Sequence, residues 1–152
     1  GRLMPNHVEN DLTVSGPVEE LERMKEFVVG EEADGTELLL DADKIVPSPE
    51  GTHTMEGFNS GGYQWCLANW GTKWGFYSVR REDLSPTKAI YHFNTAWSPA
   101  FPLVDRLAEL FPLLAFKWDY FEGGMGFQGH VVYDNGTAMS KREGSYSGHR
   151  GG

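Results

Sequence analysis

One pattern constrains this chain more than any other. It is a strand-like alternation, a proline-bearing turn and a helical stripe, and it occurs twice. In the first copy Val8, Asn10, Leu12 and Val14 alternate with Glu9, Asp11 and Thr13. A period of two is that of a strand with one buried face. Ser15-Gly16-Pro17 stops it, with Ser15 suited to cap a helix and Pro17 to sit early in one. Val18, Leu21, Met24, Phe27 and Val28 follow at helical spacing, and Glu19, Glu20 and Glu22 lie near the positive end of that helix. In the second copy Ala89, Tyr91, Phe93, Thr95 and Trp97 share one strand face, and Ile90, His92, Asn94 and Ala96 share the other. Apolar groups on both faces predict a central strand. Ser98-Pro99 ends it, and Phe101, Val104, Leu107, Ala108, Phe111 and Leu114 form a second helical stripe. Pro102 fits its first turn, and Pro112 marks its end.

Each copy needs a further strand to complete a βαβ half. For the first half, Thr36–Val46 is expected to supply it, with the run Leu38-Leu39-Leu40 at its centre and Pro47 and Pro49 at its end. For the second, Phe116, Trp118 and Tyr120 alternate with Lys117, Asp119 and Phe121. Gly126–Tyr133 adds another strand, and Asp134-Asn135-Gly136 is a hairpin-type turn. Residues 47–87 read as an insertion between the halves. They comprise a polar loop, a short helix with Tyr63, Cys66, Leu67 and Trp70 on one side, a capping Gly71, a possible short strand at Trp74–Val79, and a turn at Ser85-Pro86. Residues 139–152 are polar and glycine-rich and are expected to form a flexible tail. The order β-α-β, insertion, β-α-β, hairpin predicts an α+β domain over residues 5–138. Its pattern is the ferredoxin-like split βαβ sandwich, an antiparallel sheet with two main helices on one face.

Four segments carry a resemblance. PNHVENDLTVSGP, NWGTKWGFYSV, FNTAWSPA and LFPLLAFKWDYFEGGMGFQG together resemble the YubB-type ferredoxin-like domain of plasmid and phage accessory proteins. The resemblance spans residues 5–133, and its most specific parts are NWGTKW (69–74) and TAWSP (95–99). It implies a ferredoxin-like fold without iron–sulfur chemistry, and it implies no established activity.

Charge and residue types narrow the function. The net charge of −9 lies entirely in residues 1–50, which hold thirteen acids and four bases, whereas residues 51–152 hold nine of each. An acidic first third repels phosphate backbones, so nucleic acid is disfavoured as a partner. Tyr91, Phe93 and Trp97, rimmed by Lys73, Arg80, Arg81 and Lys88, could stack RNA bases, but the Arg/Lys-Gly-Phe-Gly-Phe signature of such domains is missing. Cys66 is the only cysteine, and His7, His53, His92, His130 and His149 include no pair at ligand spacing, so neither metal nor cofactor is expected. Cys66 with His92 or His130 is the nucleophile to consider, yet a lone cysteine between Trp65 and Leu67 is more often a small buried hydrophobe. Glu82, Asp83 and Glu122 do not set two acids across a cleft, and EGGMGFQG matches no phosphate-binding loop. No apolar run approaches the length of a membrane span, and a soluble cytoplasmic protein is expected.

That leaves the stretch Trp65–Trp97, which holds four of the five tryptophans. Rings mixed with amide, ammonium and hydroxyl groups suit a recognition site. Asn69, Trp70, Lys73, Trp74, His92, Asn94, Trp97 and Ser98 are its expected residues. The expected function is a non-enzymatic accessory module of a mobile genetic element that binds a host or element-encoded protein or a small ligand. Two alternatives stand beside it. One is an acidic inhibitor of a basic host defence protein. The other is an enzyme acting on a nucleotide-like metabolite through His92, Glu122 or Cys66.

Overall fold

The computed structural model describes residues 7–124 and 126–145. Both strand–turn–helix copies are present. The first is β1 (His7–Ser15) and α1 (Val18–Phe27). Next come the short strands β2 (Gly30–Glu31) and β3 (Glu37–Leu38) and the helices α2 (Ala42–Ile45), α3 (Met55–Gly57) and α4 (Tyr63–Asn69). The long hairpin β4 (Tyr77–Ser85) and β5 (Lys88–Ala96) leads into α5 (Phe101–Leu110). β6 (Ala115–Glu122), β7 (Phe127–Asp134) and β8 (Thr137–Ser145) complete the described chain. Six strands form one sheet in the order β4-β5-β1-β6-β7-β8, and every pairing is antiparallel. The first four of these, with α1 and α5, make the ferredoxin-like unit of the α+β class. β7 and β8 widen the sheet as a hairpin extension.

The alternation along β1 and β5 decides which face is covered. Val8, Asn10, Leu12 and Val14 lie opposite Thr95, Phe93, Tyr91 and Ala89, and all are buried. Phe116, Trp118 and Tyr120 of β6 extend this surface, and Leu21 and Met24 of α1 and Leu103, Val104 and Leu107 of α5 close over it. Each such side chain contributes about 1.5–3 kcal/mol of burial. Asn10 is the polar exception, and its bonding is complete. Its Nδ2 donates to Val8 O at 2.9 Å and Phe93 O at 3.2 Å, and its Oδ1 accepts from the Trp118 indole N–H at 2.9 Å. Pro102 sits in the first turn of α5, which ends just before Pro112, as expected.

The strand expected at Thr36–Val46 does not form as such. β3 is only Glu37–Leu38, and it pairs with Gly30–Glu31 in a ribbon separate from the main sheet. The cause is a turn at Asp41. Its backbone N–H donates to Val28 O at 2.7 Å, and its carboxylate caps α2 by accepting from Asp43 N at 3.0 Å. Gly30 makes this close return possible, because a Cβ there would stand 1.8 Å from Asp41 Oδ2. Leu40 and Ile45 still reach the core, one from a bend and the other from a helix. The second strand of the first half is instead β4, inside the stretch 47–87 expected as an insertion. The excursion therefore splits the first βαβ half rather than joining the halves.

The expected flexible tail also needs correction. Residues 139–145 belong to β8, paired with β7 from Asp134↔Thr137 to Phe127↔Ser145. Every position of β8 is exposed, so backbone pairing rather than burial holds it. The remainder of that tail, residues 146–152, lies outside the described residues.

Candidate functional site

The two most specific sequence segments, 69–74 and 95–99, meet in space. α4 ends at Asn69, and Gly71 follows with φ +75°, the left-handed conformation expected of it. Gly71 is doubly constrained, because a Cβ there would stand 2.6 Å from Pro102 Cδ. The fully buried Thr72 hydroxyl donates to Ala96 O at 2.9 Å and accepts from Ala96 N at 3.1 Å. Ser98 Oγ donates to Gly71 O at 2.5 Å, and Thr95 Oγ1 donates to Ser98 O at 2.9 Å. These bonds lock the chain past α4 to the end of β5.

The lock presents one ring outward. Trp97 is 46% exposed and has φ +71°, a conformation that bulky side chains rarely adopt. Lys73 Nζ lies 4.4 Å from the centre of the Trp97 ring, 5.1 Å from that of Trp74 and 5.8 Å from that of Tyr63. A cation this near a ring face is attracted by about 0.5–2 kcal/mol. Trp74 in turn contacts Tyr77 with ring centres 6.4 Å apart, and the Tyr77 hydroxyl bonds to His7 Nδ1. Lys73, Trp74, Trp97 and Ser98 thus gather at one end of the sheet.

The other expected site residues lie elsewhere. Trp70 is sealed in the core, with its indole N–H on Val46 O at 2.8 Å and its ring stacked on His53 at 5.1 Å. Asn69 is exposed and donates back to Trp65 O at 3.0 Å. His92 and Asn94 point to the face of the sheet away from α1 and α5, where Asn94 stands opposite Tyr77 and Glu9. Cys66 is fully buried, and burial together with the nearby Asp43 carboxylate pushes its thiol up from the usual range. That is the reverse of what a nucleophilic cysteine needs.

The uncovered face holds a second arrangement, one that no linear motif announces. Strand register sets Arg80, His92, Asp11, Asp119, His130 and Arg142 in one row across the sheet. His92 Nδ1 bonds to Asp11 Oδ1 at 2.7 Å, and His92 Nε2 bonds to Glu82 Oε1 at 2.6 Å. His130 Nδ1 bonds to Asp119 Oδ1 at 2.6 Å. The hydrogen bond from His92, aided by Arg80, holds the Glu82 carboxyl below the usual carboxylate range. Next to His130 lies an open groove of about 490 Å³, lined by Asp119, Phe121, Gln128, Arg142 and neighbours. Among the described residues, no three His, Cys, Asp or Glu side chains are arranged to hold a metal ion. No helix is long and apolar enough to cross a membrane among those residues.

Comparison with known proteins agrees with this architecture. No curated protein matches the chain. A crystal structure of a protein api92 from Yersinia pseudotuberculosis superposes with a TM-score of 0.65 at 11% identity, covering 96% of this chain and 99% of that one. That likeness shows a shared fold. Residues 73–150 match the family model described as a ferredoxin-like domain in Api92-like protein. The matched span begins at Lys73, so it takes in the exposed tryptophan end of the sheet and the whole histidine–aspartate row except Asp11. The ferredoxin-like assignment from sequence is thereby shared, under the name Api92 rather than YubB. The chain belongs to the family of the ferredoxin-like domain in Api92-like proteins.

Proposed function

We propose that this chain is a non-enzymatic binding module that recognises a protein partner through the Lys73–Trp74–Trp97 end of its sheet. The observation that carries this reading is Trp97. It is a large ring, nearly half exposed, held in a left-handed backbone conformation by a lock of buried hydrogen bonds. A rigid exposed indole loses little entropy on docking and is a typical interface anchor. An accessory role in a plasmid or phage is part of the proposal and is supported by the sequence resemblance alone.

The test takes partners captured by the parent protein and measures their affinity for Trp97→Ala and Lys73→Ala, with Leu113→Ala as a control. Leu113 is 66% exposed, and its carbonyl lies beside Gly16, at the end of β1 away from the His7–Ala96 pair that adjoins Trp97. The expected result is at least tenfold weaker binding for Trp97→Ala, an unchanged affinity for Leu113→Ala, and folded spectra throughout. Equal affinity of the parent and Trp97→Ala would overturn the reading.

A second reading rests on α1. Glu19, Glu22 and Glu26 are all exposed on it, away from the buried Leu21 and Met24. Such a row of carboxylates suits an inhibitor that engages a basic host protein by imitating nucleic acid. Binding that weakens steeply with salt and is lost on reversing these three charges supports it. Binding indifferent to both excludes it.

A further inference from the structure

The row across the open face is nearly symmetric, and its two halves differ in one respect. On the β4 side, His92 carries Asp11 on Nδ1 and the Glu82 carboxylate on Nε2. Arg80 donates to the same Glu82 oxygen at 3.2 Å. The protein's own carboxylate therefore bridges a histidine and an arginine. On the β8 side the same frame recurs. His130 carries Asp119 on Nδ1, and Arg142 stands directly across from His130 in the β7–β8 register. Here no side chain among the described residues takes the position that Glu82 fills. Among those residues His130 Nε2 has no hydrogen-bond partner, and the space beside it is the groove.

We propose that this groove is a binding site for a compact oxyanion, the carboxylate or phosphate group of a small ligand, held between Arg142 and His130 Nε2. The internal Glu82 arrangement is the template. It shows that a histidine already bonded to an aspartate on this sheet face donates from its other nitrogen to a second anionic oxygen when an arginine stands beside it. Arg142 brings the positive charge, and its planar fork suits two-oxygen anions. Asp119 fixes the ring so that Nε2 is presented to the groove, as a carboxylate orients a functional histidine in general. Glu143, the other acid lining the groove, is drawn off by the Tyr120 hydroxyl, which donates to its Oε2 at 2.5 Å. Gly144 leaves room beside Arg142, since a Cβ there would meet nothing within 4 Å. This site is separate from the exposed tryptophan end, and neither proposal depends on the other.

The experiment follows the histidine ring resonances by NMR while sodium acetate and inorganic phosphate are titrated, in separate arms at fixed pH and ionic strength, into the full chain. His92 serves as the internal control, because its Nε2 is already occupied. The expected result is a saturable shift at His130 with His92 unmoved, and at least a tenfold weaker response in Arg142→Gln. Arg142 is on an exposed edge strand, so the backbone spectrum of that variant reports directly whether the fold is intact. Saturation by acetate alone identifies a carboxylate group as the ligand's anchor, and saturation by phosphate alone identifies a phosphate group. Saturation by neither, an equal response at His92, or an undiminished response in Arg142→Gln would overturn the proposal.

Discussion

Thr72 and Ala96 exchange two hydrogen bonds, one in each direction, through a single buried hydroxyl. That hydroxyl does at the end of β5 what a neighbouring strand residue would do with its backbone. Thr72→Val keeps the shape and leaves the Ala96 N–H and C=O without their partner. An unsatisfied buried polar group costs about 1–3 kcal/mol. The urea midpoint of Thr72→Val should fall accordingly, and that of Thr72→Ser much less. Equal midpoints for the parent and Thr72→Val would show that the lock is not needed.

The backbone at Trp97 makes a contrary prediction. A left-handed residue with a side chain carries a penalty of about 1–2 kcal/mol that glycine does not. Trp97→Gly should therefore be more stable than Trp97→Ala by about 1 kcal/mol, although glycine is normally the costlier choice. Chemical denaturation of the two variants decides this. The reverse order would mean that the turn relaxes once the indole is gone.

Asn10 gives a core prediction. Asn10→Leu removes the acceptor of the Trp118 indole N–H. The extra apolar contact does not replace it, and a loss of about 1–3 kcal/mol is expected. Urea melts followed by Trp fluorescence measure it. Unchanged stability would show that the indole finds another acceptor.

Buried tyrosines set the alkaline limit. Burial pushes the Tyr91 hydroxyl up to about 12, partly offset by Arg81. Tyr120 and Tyr133 are also raised, by burial and by the carboxylates of Glu143 and Asp105 that accept from them. A raised folded value means that the native state holds the proton more tightly than the unfolded chain does. The stabilisation is full below the unfolded value of about 10 and is lost as pH rises through the folded value. Stability should hold to about pH 9 and fall between about 10 and 12. Absorbance at the phenolate band should show several tyrosines resisting ionisation until the chain unfolds. Complete ionisation near the ordinary tyrosine value in a still-folded protein would contradict this.

How much of this was legible in the sequence follows from how local each signal is. β1, β5 and β6 announce themselves by alternation because one face of each is buried. α1 and α5 do so by their stripes and their prolines. β4 does not, because it is an edge strand whose Arg80-Arg81-Glu82-Asp83 face ion pairs and solvent rather than a core. Leu38-Leu39-Leu40 misleads for the opposite reason, since a bend can bury a leucine as well as a strand can. The tryptophan end of the candidate site drew notice in the sequence because four tryptophans fall within residues 65–97, although Lys73 and Trp97 meet only through the fold. The histidine–aspartate row was not, since it joins six strands and exists only once the register is fixed.

The central position of β1 has a consequence for how the molecule is made. Its two neighbours begin pairing only through Lys88–Ala96 and Ala115–Phe121. A nascent chain thus carries β1 and α1 without sheet partners while the whole split-half excursion is synthesised. At bacterial or eukaryotic rates of about 5–20 residues per second, that interval lasts roughly 5–15 s. Throughout it the edges of β1 are open to any passing strand. The acidic residues concentrated in the first third leave the ribosome with it. Their like charge opposes pairing between two such waiting chains.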